Sequence, residues 1–341
     1  MVRPEPPARA PWGIDIVTDL RVIPLIDIGA NGPVALVRAA PERFRDILGH
    51  GRRSYTGAGL ALGDRLSRRW LAARRNPYLA EIDAIAGLGL GRGAHVLNLS
   101  YEWTCTTGVG PDPAGEGSRL RRTLDWRLDG LGRDVVVARV EAPAGPYFNV
   151  TWPGFVGVAT AMAPGRFSAA LNQPPDRQPT HVRPVDWAIS RGRFWRSSAL
   201  PPVHLLRRVF DRCRTFDEAK RALCETPIAI PAFFTLSGVT PGDGCIVERI
   251  ENDFLCRDAP ASIANHWISF PLAGRDRGTD TRGRYRLMEE MRDTAGDDFH
   301  WVSPPILNPT TRLAVTANAA RGRLVVQGFE RGGPATEVFS L

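Results

Sequence analysis

The order in which helical and strand-like patterns follow one another limits the fold of this chain most strongly. Between residues 33 and 88, apolar side chains recur at helical spacing, as at Leu62, Leu66 and Trp70. After Cys105 the pattern changes to short strand-like runs separated by glycine, proline or charge, and helices and then further strands follow. Because helices and strands come in groups, we predict a layered α+β fold rather than a doubly wound parallel sheet.

Individual elements can be placed along the chain. Strands are predicted at residues 95–103, 122–126, 135–141, 147–151, 155–162, 167–172, 232–237 and 244–250. Helices are predicted at residues 203–213, 215–225 and 281–292, a hairpin around residues 318–322, and an extended lead-in at residues 1–34. The letters T-F-D-E at residues 215–218 form a capping box, which marks the start of the second of these helices.

Length and composition set limits on the class of protein. The chain has 341 residues, of which 43% are hydrophobic, so it can bury a large core. It lacks a run of ~18 apolar residues that would span a membrane, and its first residues lack the apolar region of a secretory signal. Five cysteines are an odd number for a disulfide framework, so we expect reduced thiols and a cytoplasmic location.

The charge and the motifs argue against several classes of ligand. The net charge is +8, but Lys220 is the only lysine and the arginines come as scattered pairs rather than as one stripe. We therefore expect no nucleic-acid binding, and at most an attraction to acidic substrates or lipid surfaces. The chain has neither of the glycine-rich motifs that bind nucleotides. Cys213 and Cys224, like Cys245 and Cys256, are eleven residues apart, which fits core thiols rather than a zinc site.

Cys105 has two interpretations. It follows a predicted strand in the stretch E-W-T-C-T-T-G, where it could be a small core residue. It could equally be a nucleophile, which requires a base or a positive charge near its sulfur. His266, in A-N-H-W, is the best placed of six histidines, although a structural role suits it as well.

A different base becomes available if the bond between Thr104 and Cys105 is cut. The new α-amino group, with a pKa of ~7.7–8.0, could then accept the thiol proton. A carboxylate and a cation would have to assist, and R-T-L-D-W supplies Arg122 and Asp125, which could also form a surface ion pair. Residues three apart lie on opposite faces of a strand, so a shared site requires the strand to begin or bulge near Thr123.

The pair C-T-T-G-V and R-T-L-D-W resembles the N-terminal-nucleophile cysteine hydrolases, which carry C-T-[ST] at a self-cleavage point and R-N-[LM]-D after it. Residues 154–172, residues 215–238, A-N-H-W and D-T-R-G-R resemble corresponding stretches of the acid ceramidase branch, in the same order. The resemblance implies an αββα sandwich of two antiparallel sheets, preceded by a helical N-terminal segment. It also implies self-cleavage into residues 1–104 and a catalytic chain of residues 105–341.

The resemblance further implies a role for residues at matching positions. The implied catalytic residues are Cys105 as nucleophile, Arg122 beside the sulfur, Asp125 at the amine, Asn172 and Asn265 at the oxyanion, and Arg282 in the charge network, with Arg284 as the neighbouring alternative. The implied substrate-binding residues are Trp126, Gln173 and His266, and the cleavage site is Thr104–Cys105. No metal or organic cofactor is implied.

The implied activity is hydrolysis of linear N-acyl amides through an acyl-thioester on Cys105. A lipid amide such as a ceramide or an N-acylethanolamine is the expected substrate, and the helical first third would suit contact with a membrane surface. Five features depart from the family pattern. Gln173 replaces a glutamate, Thr123 an asparagine, and Thr104 a large apolar residue. The arginine expected after Gln173 and the aspartate expected between Asn265 and the tryptophan are missing. Two alternatives therefore stay open: an acylase or acyltransferase for a non-lipid amide such as a lactam side chain, and an unprocessed, non-catalytic lipid-binding homologue.

Overall fold

Two β-sheets packed face to face form the centre of the molecule. The computed structural model describes residues 20–100, 102–294 and 296–341; the first nineteen residues, where a lead-in without a signal sequence is predicted, lie outside the described residues. The strands are β1 Leu25–Gly29, β2 Thr104–Pro111, β3 Ser118–Asp125, β4 Val136–Val140, β5 Tyr147–Thr151, β6 Thr160–Ala163, β7 Phe167–Asn172, β8 Ala232–Ser237, β9 Gly244–Arg249, β10 Phe254–Asp258, β11 Ala261–Ile263, β12 Thr311–Asn318, β13 Arg323–Glu330, β14 Gly333–Pro334 and β15 Phe339–Ser340.

Helices form the outer layers. They are α1 Gly32–Ala39, α2 Pro41–Tyr55, α3 Gly57–Ala73, α4 Leu79–Ala86, α5 Ala94–Leu97, α6 Arg183–Arg196, α7 Pro202–Arg212, α8 Phe216–Glu225 and α9 Thr281–Glu290. Helices α7 and α8 pack on the first sheet and α9 packs on the second. None of the helices in the described ranges is long and apolar enough to cross a membrane.

The topology of the sheets confirms the predicted α+β sandwich. The first sheet has the strand order β1-β4-β5-β6-β7-β8-β9-β10, and the second has the order β11-β2-β3-β12-β13-β14, with β15 beside β13. Apart from the parallel pair β1–β4, the neighbouring strands are antiparallel. Strands β2 and β3 face β7 and β8 across the interface, where the hydroxyls of Thr107 and Thr235 meet.

The N-terminal helices pack against this sandwich through a few specific contacts. Trp70 of α3 stacks on Phe194 of α6 with ring centroids 4.2 Å apart, and its indole nitrogen donates to the Phe194 carbonyl at 3.2 Å. Asn98 donates to the carbonyl of Gly154 and accepts from the amide of Val156, both at 2.8 Å. The segment before Cys105 is therefore part of the same folded unit as the sheets.

The strand predicted at residues 95–103 is wrong. The chain forms the short helix α5 there, and β2 begins only at Thr104. The carboxylate of Asp64 accepts hydrogen bonds from the amides of Gly93, His95 and Val96, which satisfies the free N–H groups at the start of a helix. The strand predicted at 155–162 is also shorter, since residues 155–159 form an irregular loop after the turn at Gly154, whose φ is +90°.

Other predicted elements agree closely with the structure, and α6, β10 and β11 have no predicted counterpart. The runs at residues 147–151, 167–172 and 232–237 have the predicted bounds, and the hairpin turns between β12 and β13. The predicted cap is formed, since Thr215 Oγ1 accepts from the Glu218 amide at 3.2 Å. The reciprocal bond differs from that of a capping box, because Glu218 Oε2 accepts from the amide of Arg214, one residue earlier, at 2.7 Å.

We expect Thr215→Ala to lower the free energy of unfolding by about 1 kcal/mol, because the amide at the start of α8 loses its acceptor. Thr215→Ser keeps the hydroxyl and should leave stability unchanged. Urea unfolding followed by circular dichroism measures both variants. Equal losses in the two variants would show that the methyl group, not the cap, is responsible.

Candidate active site

Cys105 lies at the start of β2, inside the second sheet. In the pairing of β2 with β3, Cys105 is opposite Leu124 and Thr104 is opposite Asp125. The Cys105 side chain is fully buried. Thr107, two residues further along β2, hydrogen bonds to Thr235 of the first sheet at 2.7 Å, so this face of β2, including the Cys105 sulfur, points between the sheets.

Arg122 holds the sulfur from the same side. Its Nη2 lies 3.0 Å from Cys105 Sγ and donates to the Leu171 carbonyl at 2.9 Å, while Nη1 donates to Thr160 Oγ1 at 2.7 Å. Arg122 is itself fully buried. Burial raises the pKa of the Cys105 thiol, and the positive charge of Arg122 opposes that shift. The guanidinium is thus placed to stabilise a thiolate once the proton has an acceptor.

Asp125 occupies the opposite face of β3. Thr311 Oγ1 donates to its Oδ1 at 2.9 Å, Asn308 Nδ2 donates to its Oδ2 at 3.0 Å, and Arg284 Nη1 lies 3.7 Å from Oδ2. Burial raises the pKa of Asp125, and Arg284 followed by these two donors opposes the rise. The carboxylate is held by the edge of α9 and by the turn before β12.

The bulge expected near Thr123 is wrong. β3 pairs with β2 in regular register through Asp125, and the register shift lies in β12, between Thr311 and Leu313. Arg122 and Asp125 therefore do lie on opposite faces of their strand. Both side chains nevertheless lie beside the Thr104–Cys105 pair. The sulfur of Cys105 points to the face that carries Arg122, and the side chain of Thr104 points to the face that carries Asp125.

Asn265 and Arg284 surround the backbone of Cys105. Asn265 Oδ1 accepts from the Cys105 amide at 3.0 Å and from Arg284 Nη2 at 2.9 Å, and its Nδ2 donates to the Gln173 carbonyl at 2.6 Å. Arg284 Nη1 donates to the Cys105 carbonyl at 2.8 Å. The nitrogen and the carbonyl of Cys105 are thus both held by buried polar side chains.

The structure places Arg284, not Arg282, in this cluster. Arg284 is fully buried, whereas the side chain of Arg282 is exposed. Two residues along a helix turn through about 200°, so the two arginines occupy opposite sides of α9. Arg284, the neighbouring alternative in D-T-R-G-R, is the one that contacts Asp125, Asn265 and Cys105, and its role in a charge network remains a prediction.

The two residues that end β7 and follow it complete the polar floor of the site. Asn172 is buried and donates from Nδ2 to the Ala264 and Ile263 carbonyls at 3.2 and 3.4 Å. Gln173 is buried as well, and its carbonyl is the acceptor for Asn265. Both lie directly after Leu171, the carbonyl shared by Arg122 and the thiol. Their roles at an oxyanion and a substrate remain predictions.

The remaining predicted residues lie around this centre. Thr104 is buried, and its hydroxyl lies 3.5 Å from Asp125 Oδ2. Trp126 is buried, with its ring edge-to-face to Trp103 at 5.4 Å. His266 Nδ1 lies 3.2 Å from Thr281 Oγ1, and burial lowers the pKa of this histidine, which favours its neutral form.

Asn308 and Thr311 are site residues that the sequence did not reveal. They hold both oxygens of Asp125, although 183 and 186 residues separate them from it in the chain. The only local signal is N-P-T-T, a turn motif that ends where β12 begins. Within the described ranges, histidine, cysteine, aspartate and glutamate side chains form no group that could hold a metal ion.

A large apolar cleft opens beside the segment that precedes Cys105. It has a volume of about 340 Å³ and lies between α3, α6 and residues 96–102. Its apolar lining includes Leu60, Leu66, Trp70, Trp187 and Trp195, and Glu102 also lines it. A smaller apolar cavity of about 30 Å³ reaches Trp126 itself.

We expect Arg284→Met to destabilise the fold by about 3–5 kcal/mol, because it leaves the Asp125 carboxylate buried without its ion partner. Arg282→Met is the matched control and should change stability by less than about 0.5 kcal/mol. Both are measured by urea unfolding in a Cys105→Ala background, which keeps the chain whole. Similar losses for the two variants would contradict the placement of Arg284.

The effect of Arg284→Met on stability should also depend on pH. Asp125 has a raised pKa in the folded state, so folding takes up a proton and stability falls as pH rises from the unfolded value of ~3.9 through the folded one. Loss of Arg284 raises the folded pKa further. The loss in free energy of unfolding caused by Arg284→Met should therefore become smaller toward acid pH. A loss that does not change with pH would indicate lost packing instead.

Comparison with known proteins finds relatives over part of the chain. Acid ceramidase from Heterocephalus glaber is 29% identical, and that from Pan troglodytes 30% identical, over 105 residues, which is 31% of this chain and 25% of theirs. The chain thus spans about a quarter of the length of the curated relatives it matches. An N-acylethanolamine-hydrolyzing acid amidase ortholog from Caenorhabditis elegans superposes on 63% of this chain and 93% of its own, with 16% identity and a TM-score of 0.48.

No protein-family model matches the chain. The aligned stretch nevertheless agrees with the resemblance carried by C-T-T-G-V and R-T-L-D-W. The fold is also the sandwich that the resemblance implies, with Cys105 at its centre. Over about a third of its length, the chain is therefore similar to acid ceramidases.

Proposed function

We propose that this chain is a self-processing cysteine amidohydrolase that acts on N-acyl amides. The observation that carries the proposal is the double hold on Cys105: Arg122 lies 3.0 Å from its sulfur, and Asn265 accepts its amide hydrogen at 3.0 Å. A core cysteine needs neither contact. A cysteine that must become both a thiolate and a free amine needs both.

The first reaction is on the chain itself. The Cys105 sulfur attacks the Thr104 carbonyl carbon, a C–S bond forms, and the C–N bond breaks with transfer of the thiol proton to nitrogen. Water then hydrolyses the thioester, which leaves a Thr104 carboxylate and a free Cys105 amine. The products are residues 1–104 and residues 105–341, the predicted two chains.

Catalysis repeats these steps on an external amide. The free amine, with a pKa of ~7.7–8.0, takes the thiol proton, and Arg122 stabilises the thiolate. Asn265 Oδ1 stays as an acceptor for the amine, and Asp125 provides a negative charge nearby. Attack on the substrate gives a tetrahedral oxyanion, for which Asn172 and Asn265 are the proposed donors, and then an acyl-thioester that water hydrolyses. These steps use the α-amine of Cys105, side chains of this protein and water.

The substrate we propose has an apolar acyl group. In the uncut chain the carbonyl that reacts belongs to Thr104, and Trp103 precedes Thr104 on its acyl side. The ring of Trp103 packs edge-to-face on Trp126 at 5.4 Å and on Phe155 at 5.9 Å. The apolar cleft of about 340 Å³ adjoins this segment. A lipid amide fits these surroundings, and the similarity to proteins named acid ceramidase supports the same choice.

Two further parts of the prediction remain proposals. Leu62, Leu66 and Trp187 expose large apolar side chains, which supports contact with a lipid surface. All five cysteines are free thiols, which supports a reducing, cytoplasmic compartment.

The complete burial of Cys105 favours one rival function. A protein that is never cut would keep the thiol buried and its pKa raised, as the structure has it. Such a protein would bind a lipid in the apolar cleft without reacting with it. An acyltransferase or an acylase for a non-lipid amide would, in contrast, be cut in the same way.

We expect intact-mass measurement of the purified protein to give two fragments, the second beginning at Cys105. Cys105→Ala should give one uncut chain, because the attacking sulfur is absent. Cys245→Ala, which removes another fully buried thiol, is the control and should be cut normally. If the wild-type chain stays uncut after incubation at acid and neutral pH, the proposed mechanism is contradicted. The unprocessed lipid-binding protein then becomes the favoured function.

The processed protein should release the amine from N-acyl amides at a rate that depends on Asn308. Loss of a hydrogen bond to a charged group costs about 1.5–3 kcal/mol, so Asn308→Ala should slow turnover at least about tenfold. The pH profile should also shift, because Asn308 stabilises the charged form of Asp125. Asn308→Asp adds a like charge and should be slower still. A tenfold loss with an unchanged pH profile would indicate a structural role only.

A further inference from the structure

Three of the five cysteines gather at the outer face of the first sheet, on the side away from the interface that buries Cys105. They come from separate elements: Cys224 from α8, Cys245 from β9 and Cys256 from β10. In the register of this pair of strands Cys256 is opposite Val247, and Cys245 is opposite Asp258. Opposed and alternate residues share a face of the sheet, so Cys245 and Cys256 are diagonal neighbours on one face.

Helix α8 brings a positive charge to this face. Lys220 Nζ donates to Asp258 Oδ1 at 2.9 Å, and Asp258 is the residue directly opposite Cys245. The amine is therefore anchored over the strand pair that carries the two thiols. Cys224 and Cys245 are buried beneath the helix, whereas Cys256 is exposed on the edge strand β10.

The surroundings favour a thiolate at Cys256. A hydrogen bond from the Cys245 thiol and, to a lesser degree, the charge of Lys220 lower the pKa of Cys256 to about 7, against the effect of burial and of Asp258. The same contact raises the pKa of Cys245, which stays the protonated partner. Cys213, the other cysteine that is not fully buried, has a raised pKa because of burial and of Glu218.

We propose that Cys256 is a thiol-modification site that takes up a small thiol by exchange with a low-molecular-weight disulfide. The Cys256 sulfur attacks one sulfur of the disulfide, a new S–S bond forms, and the old S–S bond breaks. The departing thiolate leaves with the electron pair of that bond and takes a proton from water. Cys245 donates its hydrogen to the attacking thiolate, and Lys220 supplies the nearby positive charge.

The diagonal arrangement explains why the adduct should persist. Directly opposed residues in an antiparallel pair are about 4.5–5.5 Å apart, but diagonal neighbours are about 7–8 Å apart. A disulfide needs Cα atoms within about 4.4–6.8 Å. Cys245 can therefore donate a hydrogen bond to Cys256 but is poorly placed to displace the adduct. The product is a mixed disulfide at Cys256 rather than a Cys245–Cys256 bridge.

The test uses the full chain and the aromatic disulfide 5,5′-dithiobis(2-nitrobenzoate), whose released thiolate is measured by absorbance. We expect one fast equivalent, located at Cys256 by peptide mapping, with a rate that rises through a pH of about 7 as the thiolate forms. Cys256→Ser should abolish this phase and Cys213→Ser should leave it unchanged. Peptide mapping reports Cys105 separately, so the result does not depend on processing.

Exposure alone could make Cys256 react first, so two further variants separate exposure from activation. Cys245→Val and Lys220→Met leave Cys256 exposed but should each slow the fast phase at pH 7 at least about threefold, with a higher midpoint, because the thiolate fraction falls. Cys245→Ser keeps a hydrogen-bond donor and should retain the fast phase. A fast phase at Cys213, a midpoint near the usual ~8.5, or rates unchanged in both variants would overturn the proposal.

Discussion

The buried guanidinium of Arg122 is the interaction on which the site and the packing of the two sheets both depend. It extends from β3 to the sulfur of Cys105 and reaches across the core to Thr160 and the carbonyl of Leu171. A charge taken out of water costs several kcal/mol unless its donors are satisfied, so these partners must stay in position. The spacing of the sheets and the position of the sulfur are thus set together.

A second charged centre, Arg284 with Asp125, lies on the other face of the same strands. The two centres divide the chemistry of Cys105: Arg122 contacts its sulfur, whereas Arg284 contacts its carbonyl and, through Asn265, its nitrogen. This division follows from the alternation of side chains along a strand, which at first argued against a shared site. Regular strands suffice because Cys105 is contacted at its sulfur on one face of the strand and at its backbone groups from the other.

The sequence predicted those parts of the site and the fold that depend on neighbours in the chain. Cys105, Arg122 and Asp125 lie within two motifs, and β5, β7 and β8 follow from short apolar runs between turns. Asn308 and Thr311 could not be predicted, because their partner Asp125 is about 180 residues away in the chain. Arg282 and Arg284 are the same residue type, so the sequence motif does not distinguish them. They differ in the side of α9 that they occupy, which only the folded structure shows. The residues before Cys105 have a strand-like pattern, yet the distant carboxylate of Asp64 makes part of them a helix.

If the bond before Cys105 is cut, the packing of the N-terminal helices determines whether the two pieces stay together. Trp70 on Phe194, and Asn98 on Gly154 and Val156, tie the two pieces by contacts that do not need the broken bond. The pieces would remain one particle, but unfolding would release two separate chains, and recovery would become a bimolecular encounter that depends on concentration. Only the uncut chain folds at a rate that does not depend on its concentration.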